Sequence, residues 1–179
     1  GQPAAPGIGE LDRIDRICAA NRLPELAQCR FRIACVVSNP LLGEQGAVWV
    51  YGPQKGVREE EKPVLDAKML HFAEKTVEYT GKVFRNTPGA GAAGGLGFAF
   101  LSYFPEARLQ PGAELVLEIL GLEREIAEAD FVVTGEGRLD AQTSMGKAPA
   151  GIARIAKKYG KRVIAFAGQI AEDAGACRQ

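Results

Sequence analysis

The sequence is poor in the residues that build metal centres and nucleophilic triads. His71 is the one histidine, and Cys18, Cys29, Cys35 and Cys177 share no CxxC or Cys/His spacing. A zinc site is therefore disfavoured, and no serine or cysteine motif asks for a histidine base. Thiols so spaced are expected to be reduced, as in a cytoplasm. Excess charge is missing as well, since 22 basic residues balance 22 acidic ones, and no global field draws the chain to nucleic acid or to an anionic membrane. No apolar run approaches membrane-spanning length, and the opening GQPAAPGIG has neither a basic nor an apolar signal region. It has no initiator methionine, as expected of a cut or processed chain. Repeats, low-complexity tracts and flexible linkers are also lacking.

What is present is glycine, 22 residues of it, gathered beside apolar runs. That distribution suggests tight turns at a site rather than disorder. The most informative stretch is ADFVVTGEGRLDAQTSMGKAP, from Ala129 to Pro149. Phe131 to Thr134 is short, apolar and β-branched, and reads as a buried strand. Gly135 and Gly137 then suggest a turn carrying Glu136, Arg138, Asp140, Gln142 and Lys147. Beyond Gly146, Ile152, Ile155 and Ala156 recur at helical spacing up to Gly160, with Lys157 and Lys158 in the last turn. Arg162 to Gly168 is a second buried-strand candidate, so the region reads as a parallel βαβ unit. In such a sheet, ligands bind where strand gives way to helix.

Upstream, Leu11, Ile14, Ile17 and Cys18 suit one side of a short helix, and Phe31 to Val37 a buried strand ending at Ser38-Asn39-Pro40. Asn39 there can meet a substrate hydroxyl or carboxylate, or satisfy its own turn. Ala47 to Tyr51 is a β candidate followed by a turn that exposes Lys55. Pro63 opens a helix with Leu65, Met69, Phe72 and Thr76 on one face, ending near Gly81, and His71 is expected to be exposed. Gly89, Gly91 and Gly94 fit G-x-G-x-x-G, but no hydrophobic strand precedes them, so close packing or phosphate approach is preferred to dinucleotide binding. A helix to Phe104 follows, with Leu96, Phe100 and Phe104 as its core face. Leu109 to Gly112 reads as a turn, and two short helices broken at Gly121 lead to Phe131.

Ala141 to Lys147 nearly forms a P-loop, but Ala141 and Ala148 stand where glycine and Ser/Thr are required. Gly146 still permits close backbone approach to a phosphate, and Lys147 brings charge to a helix start. Glu136 and Asp140 flank Arg138. Those carboxylates suit a metal or a proton in phosphoryl transfer; a self-neutralising surface turn is the plain alternative.

The segment VTGEGRLDAQTSMGKAP resembles the signature of the bacterial glycerate kinase family, and ACVVSNPLLGEQGA, YGPQKG and PGAGAAGGLG are similar to further family segments in the same order. The resemblance implies an α/β, two-domain glycerate-kinase-like architecture, incomplete here, with a partial Rossmann-like or flavodoxin-like parallel sheet. Domains are expected over 1–129 and 130–179. It further implies ATP and magnesium (Mg2+) as cofactors and D-glycerate as a small-molecule substrate phosphorylated to 2-phosphoglycerate. A cytoplasmic kinase without nucleic-acid or membrane partners is expected, and self-association through uncovered apolar surface. Family chains are longer, so an internal fragment or truncated homologue is expected, and a non-catalytic remnant that binds a phosphate compound stays open. Val36 stands where the family usually shows Asp, and Ala141 where glycine is common. By matching position the site candidates are Asn39, Lys55, Glu136, Arg138, Asp140 and Lys147; side-chain chemistry suggests Asn39 and Lys55 for substrate, Glu136 and Asp140 for metal, and Asp140, Arg138 and Lys147 for catalysis. Gly91, Gly94 and Gly146 are the phosphate-approach candidates.

Overall fold

The computed structural model describes Pro3, residues 5–140 and residues 147–178. They divide into two compact units, Gly1–Leu109 and Gln110–Gln179.

The first unit is organised around helix α2, Lys62–Thr80. Its start is specified locally: Glu59, Glu60 and Glu61 precede it, where negative charge suits the helix dipole, and Pro63 sits in the first turn. The Glu61 carboxylate accepts the Arg58 backbone N–H at 2.9 Å. Gly81, at φ 70°, ends the helix in the left-handed conformation. Met69, Ala73 and Thr76 are buried on one face, as the helical spacing predicts, and the core around them holds Leu41, Val48, Ala90 and Phe98. Lys62 is buried too. Its ammonium bonds Glu59 at 2.6 Å and lies 5.6 Å from the centre of the Trp49 ring.

Several expectations are corrected here. Ala47–Tyr51 is a short helix, α1, not a strand. Ala47 and Val48 are buried in the core, and the segment closes local bonds such as Gly52 N–H to Val48 O at 3.0 Å. Burial of a helical turn overrides the β preference of Val-Trp-Val. The strand near Phe31 is β1, Arg32–Cys35, paired with β2, Arg108–Pro111, where a turn was expected. Strand β1 is half-exposed rather than buried, and Val36 just beyond it is 91% exposed. The N-terminal helix is a 3-10 segment, Ile8–Arg13, whose Ile8 and Leu11 pack on the core. His71 is half-buried, not exposed, with Nε2 2.8 Å from the Ile14 carbonyl. In helix α3, Leu96–Tyr103, the buried large side chains are Phe98 and Leu101, whereas Leu96 is exposed. Phe100 and Phe104 instead pack on Phe31, at ring separations of 5.4 and 4.3 Å.

The second unit begins with α4, Gly112–Ile119, and α5, Leu122–Glu128, separated by Gly121 at φ 65°. Both pack on α6, Ala148–Lys158, through ion pairs Glu114–Arg154 and Glu123–Lys158 and through Gly151. A Cβ on Gly151 would stand 2.8 Å from Leu117. These two helices therefore lie with the second unit. Strands β3, Phe131–Leu139, and β4, Arg162–Ile170, pair in parallel around α6, from Phe131↔Arg162 to Leu139↔Ile170. The expected βαβ unit is present. Its strands are buried on neither side completely. Val132, Thr134, Glu136, Val163 and Ala167 are half-buried, while Phe131, Val133, Ile164, Phe166 and Ile170 on the other face are exposed.

Candidate functional site

The polar cluster of the second unit is built by strand geometry. Instead of turning at Gly135, β3 runs through Gly135 and Gly137 to Leu139. Successive side chains of a strand alternate in face, so Glu136 and Arg138 fall on the same side, and Asp140 follows directly after the strand. The glycines fall on the other, where the strands come close: a Cβ on Gly168 would lie 3.0 Å from the Gly137 carbonyl oxygen.

Lys147, the residue that precedes α6, closes the cluster. Its ammonium lies 3.4 Å from Glu136 Oε1 and 3.6 Å from Asp140 Oδ1, and Arg138 Nε lies 3.8 Å from Asp140 Oδ2. Two acids and two bases are thus gathered at the C-terminal end of a parallel strand, beside the start of the crossover helix. With side-chain exposures from 20% at Asp140 to 58% at Arg138, each pair contributes only about 0.2–1 kcal/mol. Stability gives little reason for holding four charges together here. The second carboxylate oxygen of Glu136 is buried and has no hydrogen-bond partner, an arrangement that is unfavourable unless something is bound.

No group of three or more His, Cys, Asp or Glu able to hold a metal occurs among the described residues. Magnesium needs no such cage, because it keeps several waters and binds through one or two carboxylates plus substrate phosphates. Glu136, with its unpartnered oxygen, and Asp140 fit that donor set.

In the first unit, Asn39 and Gly91 come together. The Gly91 N–H donates to the Asn39 carbonyl at 3.0 Å, and a Cβ on Gly91 would lie 2.2 Å from the Pro40 carbonyl oxygen. Close backbone packing therefore explains that glycine. Gly94 is at φ 73° with open space where a Cβ would be. Its requirement is conformational. The Asn39 side chain donates from Nδ2 to the Gln45 carbonyl at 2.8 Å and accepts the Tyr51 hydroxyl on Oδ1 at 2.6 Å. Tyr51 was missed by sequence reasoning. Reading its segment as a strand hid the helical turn that brings it to Asn39. Lys55 ends a 3-10 turn, Pro53–Lys55, and is exposed before Gly56 at φ 87°. Gly146 and the near-P-loop residues Ala141 to Met145 lie outside the described residues.

A parallel βαβ unit with acids and a lysine at its strand end defines an α/β chain. The glycerate kinase family model matches residues 1–179. The chain belongs to that family. It is 46% identical over 172 residues to a glycerate kinase of Halalkalibacterium halodurans, covering 96% of this chain and 45% of that relative. To the glycerate 2-kinase of Escherichia coli it is 42% identical, covering 97% of this chain and 45% of the relative. A crystal structure assigned as glycerate kinase 2 from Salmonella typhimurium superposes with TM-score 0.84 at 38% identity, over 96% of this chain and 48% of that one. The chain thus spans about half the length of the relatives it matches. Among the described residues no helix is long and apolar enough to cross a membrane.

Proposed function

We propose that this chain serves ATP-dependent phosphorylation of D-glycerate to 2-phosphoglycerate, with phosphoryl transfer at the Glu136, Arg138, Asp140 and Lys147 cluster. The observation that carries this reading is Lys147 set between two carboxylates, 3.4 and 3.6 Å away, beside the unpartnered oxygen of Glu136. Glu136 and Asp140 would hold Mg2+, which when bound offsets phosphate charge. Asp140 would accept the proton of the attacking substrate hydroxyl, and Arg138 with Lys147 would neutralise charge on the moving phosphoryl group. Asn39 and Lys55 are the substrate contacts of the proposal.

The test is ADP release by the full chain with ATP, magnesium and D-glycerate, with phosphorus NMR to tell the 2-phospho from the 3-phospho product. Asp140→Asn should lower turnover by about 100-fold or more, with little change in melting temperature. Near-normal turnover of that variant would remove Asp140 from the mechanism. A second reading, a remnant that binds a phosphate compound and transfers nothing, is favoured by Val36, which stands where the family usually shows the carboxylate of Asp. No glycerate-dependent ADP release, together with retained phosphate binding, would establish it.

A further inference from the structure

The amide of Asn39 lies between two partners that leave it a single orientation. The Gln45 backbone carbonyl can only accept, so Nδ2 must face it, at 2.8 Å. Oδ1 then takes the Tyr51 hydroxyl proton at 2.6 Å. Tyr51 and the Asn39 backbone are both anchored. Tyr51 ends α1, whose Ala47 and Val48 are buried, and the Asn39 backbone carbonyl is held by the Gly91 N–H at 3.0 Å. After these bonds the side-chain amide retains one N–H and one lone pair. An adjacent donor and acceptor match an alcohol, which both gives and takes a hydrogen bond. A carboxylate only accepts, and would use half of the pair.

We propose that Tyr51 is a positioning residue: by holding Asn39 Oδ1 it sets the amide so that Asn39 reads a hydroxyl group of the small hydroxy-acid substrate rather than its carboxylate. The inference rests on the substrate role proposed above for Asn39. Without the phenol, the Gln45 carbonyl still holds Nδ2, but either of its two N–H groups can serve, so the direction of Oδ1 is no longer set. Tyr51→Phe makes that change while keeping the ring.

Calorimetric titration of the full chain, its Tyr51→Phe variant and its Asn39→Ala variant tests this. The ligands are D-glycerate, lactate, which lacks the primary hydroxyl, and 3-hydroxypropionate, which lacks the secondary one. Wild type should prefer glycerate to one of the two analogues by about tenfold, the worth of one hydrogen bond. Tyr51→Phe should lose most of that preference by weakening glycerate while leaving that analogue within about twofold, at an unchanged melting temperature. Asn39→Ala should abolish the preference. Wild-type affinity and preference in Tyr51→Phe, with loss in Asn39→Ala, would overturn the Tyr51 assignment and leave the role of Asn39 standing. An unaffected Asn39→Ala, or a wild-type chain that binds no glycerate, would overturn both. Equal weakening of all three ligands, or a markedly lower melting temperature in Tyr51→Phe, would show a general structural role and overturn the positioning one.

Discussion

Replacing Gly91 by alanine separates packing from ligand approach in the glycine-rich stretch. The added Cβ would stand 2.2 Å from the Pro40 carbonyl oxygen, with the Asn39 carbonyl oxygen at 3.2 Å. An ordinary contact needs about 1 Å more, and both obstacles are backbone, so either the loop at Pro40 or the turn at Gly91 must move. Forcing a methyl into such a site costs about 1–3 kcal/mol. Moving the turn also strains the Gly91 N–H bond to Asn39, worth about 1 kcal/mol more. The expected total of about 3 kcal/mol lowers the melting temperature of a chain this size by about 6–12 °C. Gly94→Ala is the control. It meets no atom within 4 Å but must hold φ 73°, at a cost of about 1–2 kcal/mol. Thermal unfolding followed by circular dichroism, on both variants side by side, measures the difference. A Gly91→Ala chain that melts like wild type, or above Gly94→Ala, refutes the packing argument. Normal melting with lost ATP affinity would assign Gly91 to phosphate approach instead.

Thr76 is fully buried and its hydroxyl lies 2.8 Å from that of Tyr103. Thr76→Val leaves the Tyr103 hydroxyl without that partner and should destabilise by about 1–3 kcal/mol in urea unfolding. Burial already pushes the Tyr103 phenol up, against the Thr76 bond that lowers it, so the variant's phenol should titrate higher still in ultraviolet absorbance. Because the folded value is raised, its stabilising contribution is full below the ordinary phenol value, about pH 10, and is lost as pH rises through the folded one. Glu123 is held below the usual carboxylate range by its hydrogen bonds to Lys158 and Tyr159. Its contribution is present at neutral pH and lost as pH falls below about 4. The urea midpoints of wild type and Glu123→Gln should therefore differ at pH 7 and draw together as pH falls below the ordinary carboxylate range; a constant gap would disprove the pairing. On the open sheet face Phe166 is 66% exposed. Phe166→Lys should leave stability within about 0.5 kcal/mol while lowering dye binding and light scattering by the chain, and unchanged scattering would clear this face of causing association.

The elements with strong local signals were legible in the sequence. Pro63, Met69, Thr76 and Gly81 wrote α2 into a 3.6-residue period with marked ends, and Gly121 divided α4 from α5. Phe131 to Gly168 announced strand, helix and parallel strand. Four of the site candidates, Glu136, Arg138, Asp140 and Lys147, were named from charge between glycines. Why they meet was not legible. A glycine-flanked polar run looks like a turn, and only pairing along β4 shows that it is strand, with Glu136 and Arg138 on one face by a two-residue period. Tertiary contact likewise decided that Ala47 to Tyr51 is helical, because burying Ala47 and Val48 beside Leu41 and Phe98 outweighs the intrinsic β preference of those residues. It set Gly91 against Pro40, a proximity that residues 51 apart in sequence do not reveal. Local periodicity and end signals act over one or two turns of chain and are written in the sequence; face, partner and close approach depend on what arrives from elsewhere, and those the folded chain decided.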